Sequence, residues 1–394
     1  MSGERPTPHS ALLARQTDIY LKGLAGQRPE IPISFEALEA QARERMSPEA
    51  YGYVAGAAGS ESTMAANSEA FARWRIVPRM MRDITTRDLA VEVLGQRFAA
   101  PIMLAPIGVL SIAHPEAEIA VARAAASLGV PFMLSTAATK PMEAVAQAAG
   151  DTPRWFQLYW GNDPAVAASM VRRAEAAGYG AIVVTLDTKM LSWRERDLQN
   201  AYLPFLLGEG LGNYFSDPVF RQSLAQPIEE NPQAAIMRWT QIFSDPAHTW
   251  DDLVTLREHT RLPILVKGVL HPDDARRALD AGAAGVVVSN HGGRQLDGSI
   301  AALDALPGVV AAIGARAPVL FDSGIRRGAD VVKALALGAK MALVGRPYAY
   351  GLALGGEAGV REVVLNLLAD LDVTLALSGC RSLAELSPEM LVRA

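Results

Sequence analysis

The sequence predicts an α/β protein: a (β/α)8 TIM barrel with an N-terminal helical extension and a long lid insertion after its fourth strand. Three observations carry this expectation. First, eight short apolar runs recur: PIMLAP (101–106), PFMLST (131–136), RWFQLY (154–159), AIVVTL (181–186), PILVKG (263–268), GVVVSN (285–290), APVLFD (317–322) and MALVGR (341–346). Each is apolar on both alternating faces, as strands covered on both sides of a parallel sheet are. Second, helical stretches separate them, such as 115–129, 163–178, 272–282 and 328–338, and several end in the glycine that caps helix C-termini. Eight strand–helix units are the number that closes a barrel. An open doubly wound sheet needs no eighth unit, and no GxGxxG follows the first strand. Third, the strand starts lie 22 to 32 residues apart except between 181 and 263, which are 82 apart.

Along the chain, residues 1–30 are polar and punctuated by Gly and Pro and read as a surface arm. Residues 33–75 read as helices: Phe35, Leu38 and Ala42 keep a helical period, and Ser47-Pro48 is a cap-then-proline start. Residues 76–100 read as a small hairpin. The chain therefore divides into residues 1–100, packed on the barrel, and the barrel itself at 101–394. The excess length after strand 4, about 195–249, contains PFLLGEGLGNYFSDPVF; its aromatics suit a packed lid or, equally, an oligomer contact.

Composition narrows the class. Half of the 394 residues are hydrophobic and 20% charged, as in a folded globular chain. The net charge of −5 argues against a nucleic-acid partner. A single cysteine, Cys380, excludes an internal disulfide and any cysteine-rich metal site. No apolar run is long enough to span a membrane, and MSGERPTPHS lacks a secretory core, so a cytoplasmic enzyme is expected.

In such barrels the active site lies at the C-terminal strand ends, and all eight ends carry polar residues or glycine. They supply Pro106-Ile107-Gly108, Ser135, Gln157 and Tyr159, Thr185 and Asp187 with Arg194 beyond, Lys267, Ser289-Asn290-His291-Gly292-Gly293-Arg294, Asp322-Ser323-Gly324-Ile325-Arg326, and Gly345-Arg346. Burying polar groups without partners costs several kcal/mol each, so their convergence points to a site. The glycines and arginines after strands 7 and 8 suit a phosphate. His291 leaves a buried strand at the barrel mouth and suits a general base, with Asp187 able to hold its other ring nitrogen. The other five histidines have structural readings in tails, caps and helices. No HExxH or Cys/His spacing points to a metal.

The strings SNHGGRQLDG, FQLYW, LPILVKGV, LFDSGIRRGADVVKALALGA and VGRPY resemble the FMN-dependent L-2-hydroxy acid oxidase/dehydrogenase family over about residues 35–390. Within it, GDTPRWFQLYW and the LPFL, NY and DPVF pieces of the insertion resemble lactate 2-monooxygenase rather than the shorter-looped oxidases. The resemblance implies FMN, a small 2-hydroxy acid substrate, O2, and a homotetramer or homooctamer. It places Pro106 to Gly108, Ser135, Gln157, Thr185 and Ser289 on the cofactor's ring and chain, with Asp322 and Ser323 beside the ribityl group. It places Lys267 beside the ring, and Gly324, Arg326, Gly345 and Arg346 at the phosphate. His291 becomes the base, Asp187 its partner, Arg194 and Arg294 a carboxylate clamp, and Tyr53 and Tyr159 substrate hydrogen-bonders. Gly108 stands where several oxidases have alanine, and Ala137 where glycolate oxidase has tryptophan. The product expected from L-lactate in air is acetate, with CO2 and water; the alternative is an oxidase that releases the 2-keto acid and H2O2. A competing reading from the barrel alone is a phosphosugar isomerase or aldolase, with Lys267 as a Schiff-base lysine.

Overall fold

The computed structural model describes residues 8–394, with side chains from residue 14. Four helices open the chain: α1 (Pro8–Leu24), α2 (Phe35–Arg45), α3 (Pro48–Ala55) and α4 (Ser62–Ala72). Ser34 and Ser47 cap α2 and α3 by accepting from the amides of Ala37 and Ala50, and Pro48 occupies the first turn of α3. Within the surface arm expected over 1–30, Pro8–Leu24 form α1, whose described side chains are largely exposed; residues 1–7 lie outside the described residues. Arg15 pairs with Glu362 at 2.5 Å and donates to Asn366 at 3.0 Å on the long C-terminal helix. These tertiary contacts hold α1 where local sequence offers little helical signal.

Strand β1 (Trp74–Ile76) pairs antiparallel with β12 (Leu391–Arg393), joining the N-terminal region to the last residues of the chain. The expected hairpin is β2 (Val91–Val93) and β3 (Gln96–Phe98). Then come the eight parallel strands β4 (Ile102–Leu104), β5 (Phe132–Ser135), β6 (Arg154–Tyr159), β7 (Ile182–Thr185), β8 (Ile264–Val269), β9 (Gly285–Val288), β10 (Val319–Phe321) and β11 (Met341–Val344). They close into a barrel in chain order, all eight inside the expected runs or within a residue of them.

Alternation divides each strand's residues between two cores. Met103, Met133, Trp155, Val183, Leu265, Val287, Leu320 and Met341 fill the barrel interior. Ile102, Leu104, Phe132, Leu134, Phe156, Ile182 and Val184 pack on the surrounding helices. The hairpin plugs the interior: Val93 and Phe98 join that inner cluster, and Phe98 meets Trp155 edge-on at 6.4 Å.

The surrounding helices are α5 (Ala117–Leu128), α6 (Met142–Ala149), α7 (Pro164–Ala176), the insertion's α8 (Glu195–Gln199), α9 (Gly212–Phe215), α10 (Pro218–Gln222) and α11 (Pro232–Ile242), then α12 (Trp250–Leu256), α13 (Pro272–Asp280), α14 (Ala302–Ile313), α15 (Gly328–Ala336) and α16 (Arg346–Leu377). The insertion is anchored by buried polar side chains. Asn213 accepts from the Met142 amide and donates to the carbonyls of Ser135 and Thr136, while Asp217 caps α10 and binds Arg173. Among the described residues, no helix is long and apolar enough to cross a membrane.

Because the hairpin completes the inner core, Phe98→Ala is expected to lower stability by about 3–5 kcal/mol, the range for a large buried ring. Chemical denaturation measures it; a loss below about 1 kcal/mol would show that the plug adds little to the core.

Candidate active site

The β9 end turns sharply into the cleft. His291 has a positive φ of 59°, a left-handed conformation that costs a non-glycine residue about 1 kcal/mol or more. Surrounding bonds enforce it. The amide of His291 donates to Ser289 Oγ at 3.0 Å, and those of Asn290 and Gly292 donate to Ser323 Oγ at 3.2 and 3.0 Å. The Asn290 side chain exchanges two 2.8 Å bonds with Asn67 of α4. The result brings His291 Nδ1 to 2.8 Å from Asp187 Oδ1. A carboxylate accepts, so Nδ1 carries the proton and Nε2 keeps a lone pair. Nε2 lies 3.4 Å from the Tyr159 hydroxyl.

Burial pushes the His291 imidazole below the ordinary histidine value, and Lys267 adds to that, while Asp187 pulls the other way. Burial also opposes the Asp187 charge, but His291 and Lys267 outweigh it, and the carboxyl stays below its usual range. The resting pair is therefore an ionised Asp187 and a neutral His291. Asp187 Oδ2 is buried without a partner, which increases the pull on His291. Gly268 makes room for this carboxylate: at φ 103°, a Cβ there would sit 2.9 Å from Asp187.

Lys267 lies near the C-terminal end of β8, buried. Its Nζ donates to Ser289 Oγ at 2.9 Å and pairs with Asp322 at 3.1 Å, whose carboxylate also accepts from Ser323 Oγ. One network thus ties the Lys267 charge to the loop carrying His291. Below it lies a relay of buried polar groups: Ser135 donates to Gln157, and Gln157 donates to Thr185.

One cavity gathers fifteen of the residues expected in the site: Tyr53, Pro106, Ile107, Gly108, Tyr159, Arg194, Lys267, His291, Arg294, Asp322, Ser323, Gly324, Arg326, Gly345 and Arg346. Asp187 and Ser289 lie behind that lining, bonded to His291 and Lys267, while Ser135, Gln157 and Thr185 bond to one another and reach it through the Ala137 amide, which donates to Ser135 Oγ. Gly108 is demanded by packing, since a Cβ would lie 2.8 Å from that of Ala137.

The two clamp arginines flank the Tyr53 ring at 5.8 and 5.0 Å. Arg294 donates to the carbonyls of Tyr53 and Gly56, and Arg194 to Ser192, Gln295 and the Arg294 carbonyl. Burial, then the neighbouring Arg194, lowers the Arg294 guanidinium to about 10. Asp197 pairs with Arg194 at 3.6 Å and offsets one of these two charges, so the pair carries a net positive charge that suits an anion. At the other end, Arg346 is likewise lowered to about 10 by burial and by Arg326. Its guanidinium binds the carbonyls of Val54, Gly56 and Gly292, so it acts as a strut, and Gly345 and Arg346, at the N-terminus of α16, line the cavity.

The sequence reading missed the apolar wall. Leu191, Leu203, Phe205 and Phe243 line the cavity; Phe205 stacks on Trp239 of α11, and Phe243 meets the same ring at a tilt. The aromatic density of the insertion was the available signal; which rings turn inward is set by its docking on β5 and β6. Thr188 and Gln295 were also missed. Gln295 bridges Arg194 to the Asp187 carbonyl.

A model of the FMN-dependent dehydrogenase family matches residues 42–393. The chain belongs to that family. It is 46% identical over 382 residues to the FMN-dependent alpha-hydroxy acid dehydrogenase qulF of Penicillium citrinum, covering 96% of this chain and 95% of that one. It is 43% identical over 376 residues to an L-lactate oxidase of Lysinibacillus sphaericus, covering 95% and 96%. Its fold matches a soluble mutant of the membrane-associated (S)-mandelate dehydrogenase from Pseudomonas putida, with TM-score 0.81, 39% identity, and 92% and 99% of the chains covered. The cofactor of this FMN-dependent dehydrogenase is FMN, and its chemistry is the oxidation of an alpha-hydroxy acid. Membership removes the aldolase reading of Lys267. The donor set suits FMN: a buried cation, a polar relay, and paired arginines at a helix N-terminus.

NMR titration of His291 is expected to give a midpoint below 6.5, and Asp187→Asn should lower it further by removing the charge that supports the imidazolium. The folded state holds fewer protons at this group than the unfolded chain does. Its contribution to stability is therefore full above the ordinary value of 6.5 and is lost as pH falls through the depressed folded value. A midpoint above 6.5 would overturn this.

Proposed function

We propose that this enzyme oxidises a small L-2-hydroxy acid, L-lactate or a near homologue, and that the keto acid held beneath the insertion is then decarboxylated. The observation that carries the first part is the single cavity in which the His291–Asp187 pair faces Tyr159, Tyr53 and two arginines. Arg194 and Arg294 take the substrate carboxylate. Tyr53 and Tyr159 orient the hydroxyl group, and Nε2 of His291 accepts its proton while Asp187 stabilises the imidazolium. FMN, when bound, supplies a two-electron acceptor that O2 reoxidises. Pro106 to Gly108, Ser135, Gln157, Thr185 and Ser289 hold its ring and chain, Asp322 and Ser323 the ribityl hydroxyls, and Gly324, Arg326, Gly345 and Arg346 the phosphate. Lys267 keeps a fixed positive charge where negative charge develops.

The second part rests on the insertion. Its polar anchors fix the insertion to the barrel, and its Leu203, Phe205 and Phe243 form one wall of the cavity, which supports retention of the keto acid. Hydrogen peroxide formed beside a retained pyruvate attacks its keto carbon and gives acetate, CO2 and water. If pyruvate leaves first, pyruvate and peroxide are released. That oxidase outcome is the second reading, favoured by relatives from Lysinibacillus sphaericus and Nostoc named L-lactate oxidase, at 43% and 42% identity.

His291→Asn is expected to retain flavin and lose about 100- to 10,000-fold in anaerobic flavin reduction by substrate. Reduction at the native rate would remove His291 from the mechanism. With L-lactate in air and no catalase, acetate is the expected main product. Equal amounts of pyruvate and peroxide would establish the oxidase reading and leave the hydroxy-acid chemistry intact.

A further inference from the structure

The phosphate end of the cavity has a component from outside the barrel. Arg326 follows β10, and its half-buried guanidinium lies 4.3 Å from the centroid of the Phe35 ring, at the first residue of α2. Phe35 is itself fixed against Tyr350 of α16, 5.9 Å between ring centroids. The Tyr350 hydroxyl donates to Glu39, one turn further along α2, at 2.7 Å. Glu36, also on α2, pairs with Arg327 at 2.5 Å. Among the described residues, the Arg326 guanidinium donates only to its own neighbour, the Ile325 carbonyl, and no carboxylate lies within ion-pair distance of it. Its direct support is the ring. Phe35 and Arg326 together line two surface cavities, and Arg326 also lines the active-site cavity, with Gly324 and Arg346.

We propose that Phe35 is a cofactor-positioning residue: α2 completes the phosphate site by holding the Arg326 guanidinium on an aromatic face, aimed at the phosphate of FMN. A flat guanidinium on a ring keeps its charge and its edge N–H donors available, whereas a carboxylate partner would neutralise it and compete with the phosphate. Glu39 acts at a distance, through Tyr350. The inference rests on the assignment of Arg326 to the phosphate.

The test compares FMN with riboflavin, which has the same ring and ribityl chain but no phosphate. Phe35→Leu keeps an apolar side chain of similar size and removes the aromatic face; Phe35→Trp keeps a face. Flavin release from the full-length holoenzyme is followed by the rise in free-flavin fluorescence. Affinities are measured after stripping the chain and reloading it with either flavin. Phe35→Leu is expected to release FMN about tenfold faster and bind it about tenfold more weakly, with riboflavin binding unchanged. Phe35→Trp should hold FMN nearly as well as the native chain. Equal weakening of FMN and riboflavin, or unaltered FMN release in Phe35→Leu, would overturn the proposal. Arg326→Ala separates the two levels: selective loss of FMN there, with no effect in Phe35→Leu, defeats only the role of Phe35. Equal loss of both flavins in Arg326→Ala defeats the phosphate assignment as well.

Discussion

A barrel whose strands are covered on both faces can place charge only at its ends. Its interior is filled by Met, Val, Leu and Trp side chains, and its outer faces are buried under helices. Lys267, near the C-terminal end of β8, lies beside Asp322 and Ser289, and Asp187 lies at the mouth against His291. Each charge is paired with a group that another strand delivers to the same end of the barrel, because leaving it unpaired in that setting would cost several kcal/mol. The polar network thus lets these residues be buried together. It also holds His291 in a backbone conformation it would otherwise avoid.

The same constraint explains why the site cannot be built from the barrel alone. Arg294, Arg346 and Arg326 need partners on the outer side, and the N-terminal helices provide them. Carbonyls of Tyr53, Val54 and Gly56, at the end of α3, take the guanidiniums of Arg294 and Arg346, and Phe35 of α2 faces Arg326. These contacts hold cations in place without neutralising them, so their charge remains directed at the cavity. The insertion complements them. Its own polar groups bond to β5, α6 and α7, and its rings close the apolar side of the cleft.

The barrel was legible because two-sided burial leaves continuous apolar runs, and because glycine and proline punctuate the units between them. The strand-end residues were legible for the same reason: Lys267, Asp187 and His291 interrupt runs that are otherwise apolar. The helix α1 was not, since its docking relies on Arg15 meeting Glu362 and Asn366 nearly 350 positions later. Nor were Phe205 and Phe243, because an aromatic-rich segment declares that it will pack but not which rings will face a cavity.

By itself, then, the sequence determined the eight-unit alternation, the site at the strand ends, the cysteine-poor character and the insertion's position, all of which follow from local periodicity and residue chemistry. Only the tertiary structure decided which groups meet. Closure of β9 onto β10 sets the turn that gives His291 to Asp187, and Gly268 on a neighbouring strand leaves the space that Asp187 fills. Docking of α2 and α3 decides that Arg346 becomes a strut and Arg326 rests on a ring. These are choices among hydrogen-bond and packing partners distant in the chain, and they depend on distances that no local pattern encodes.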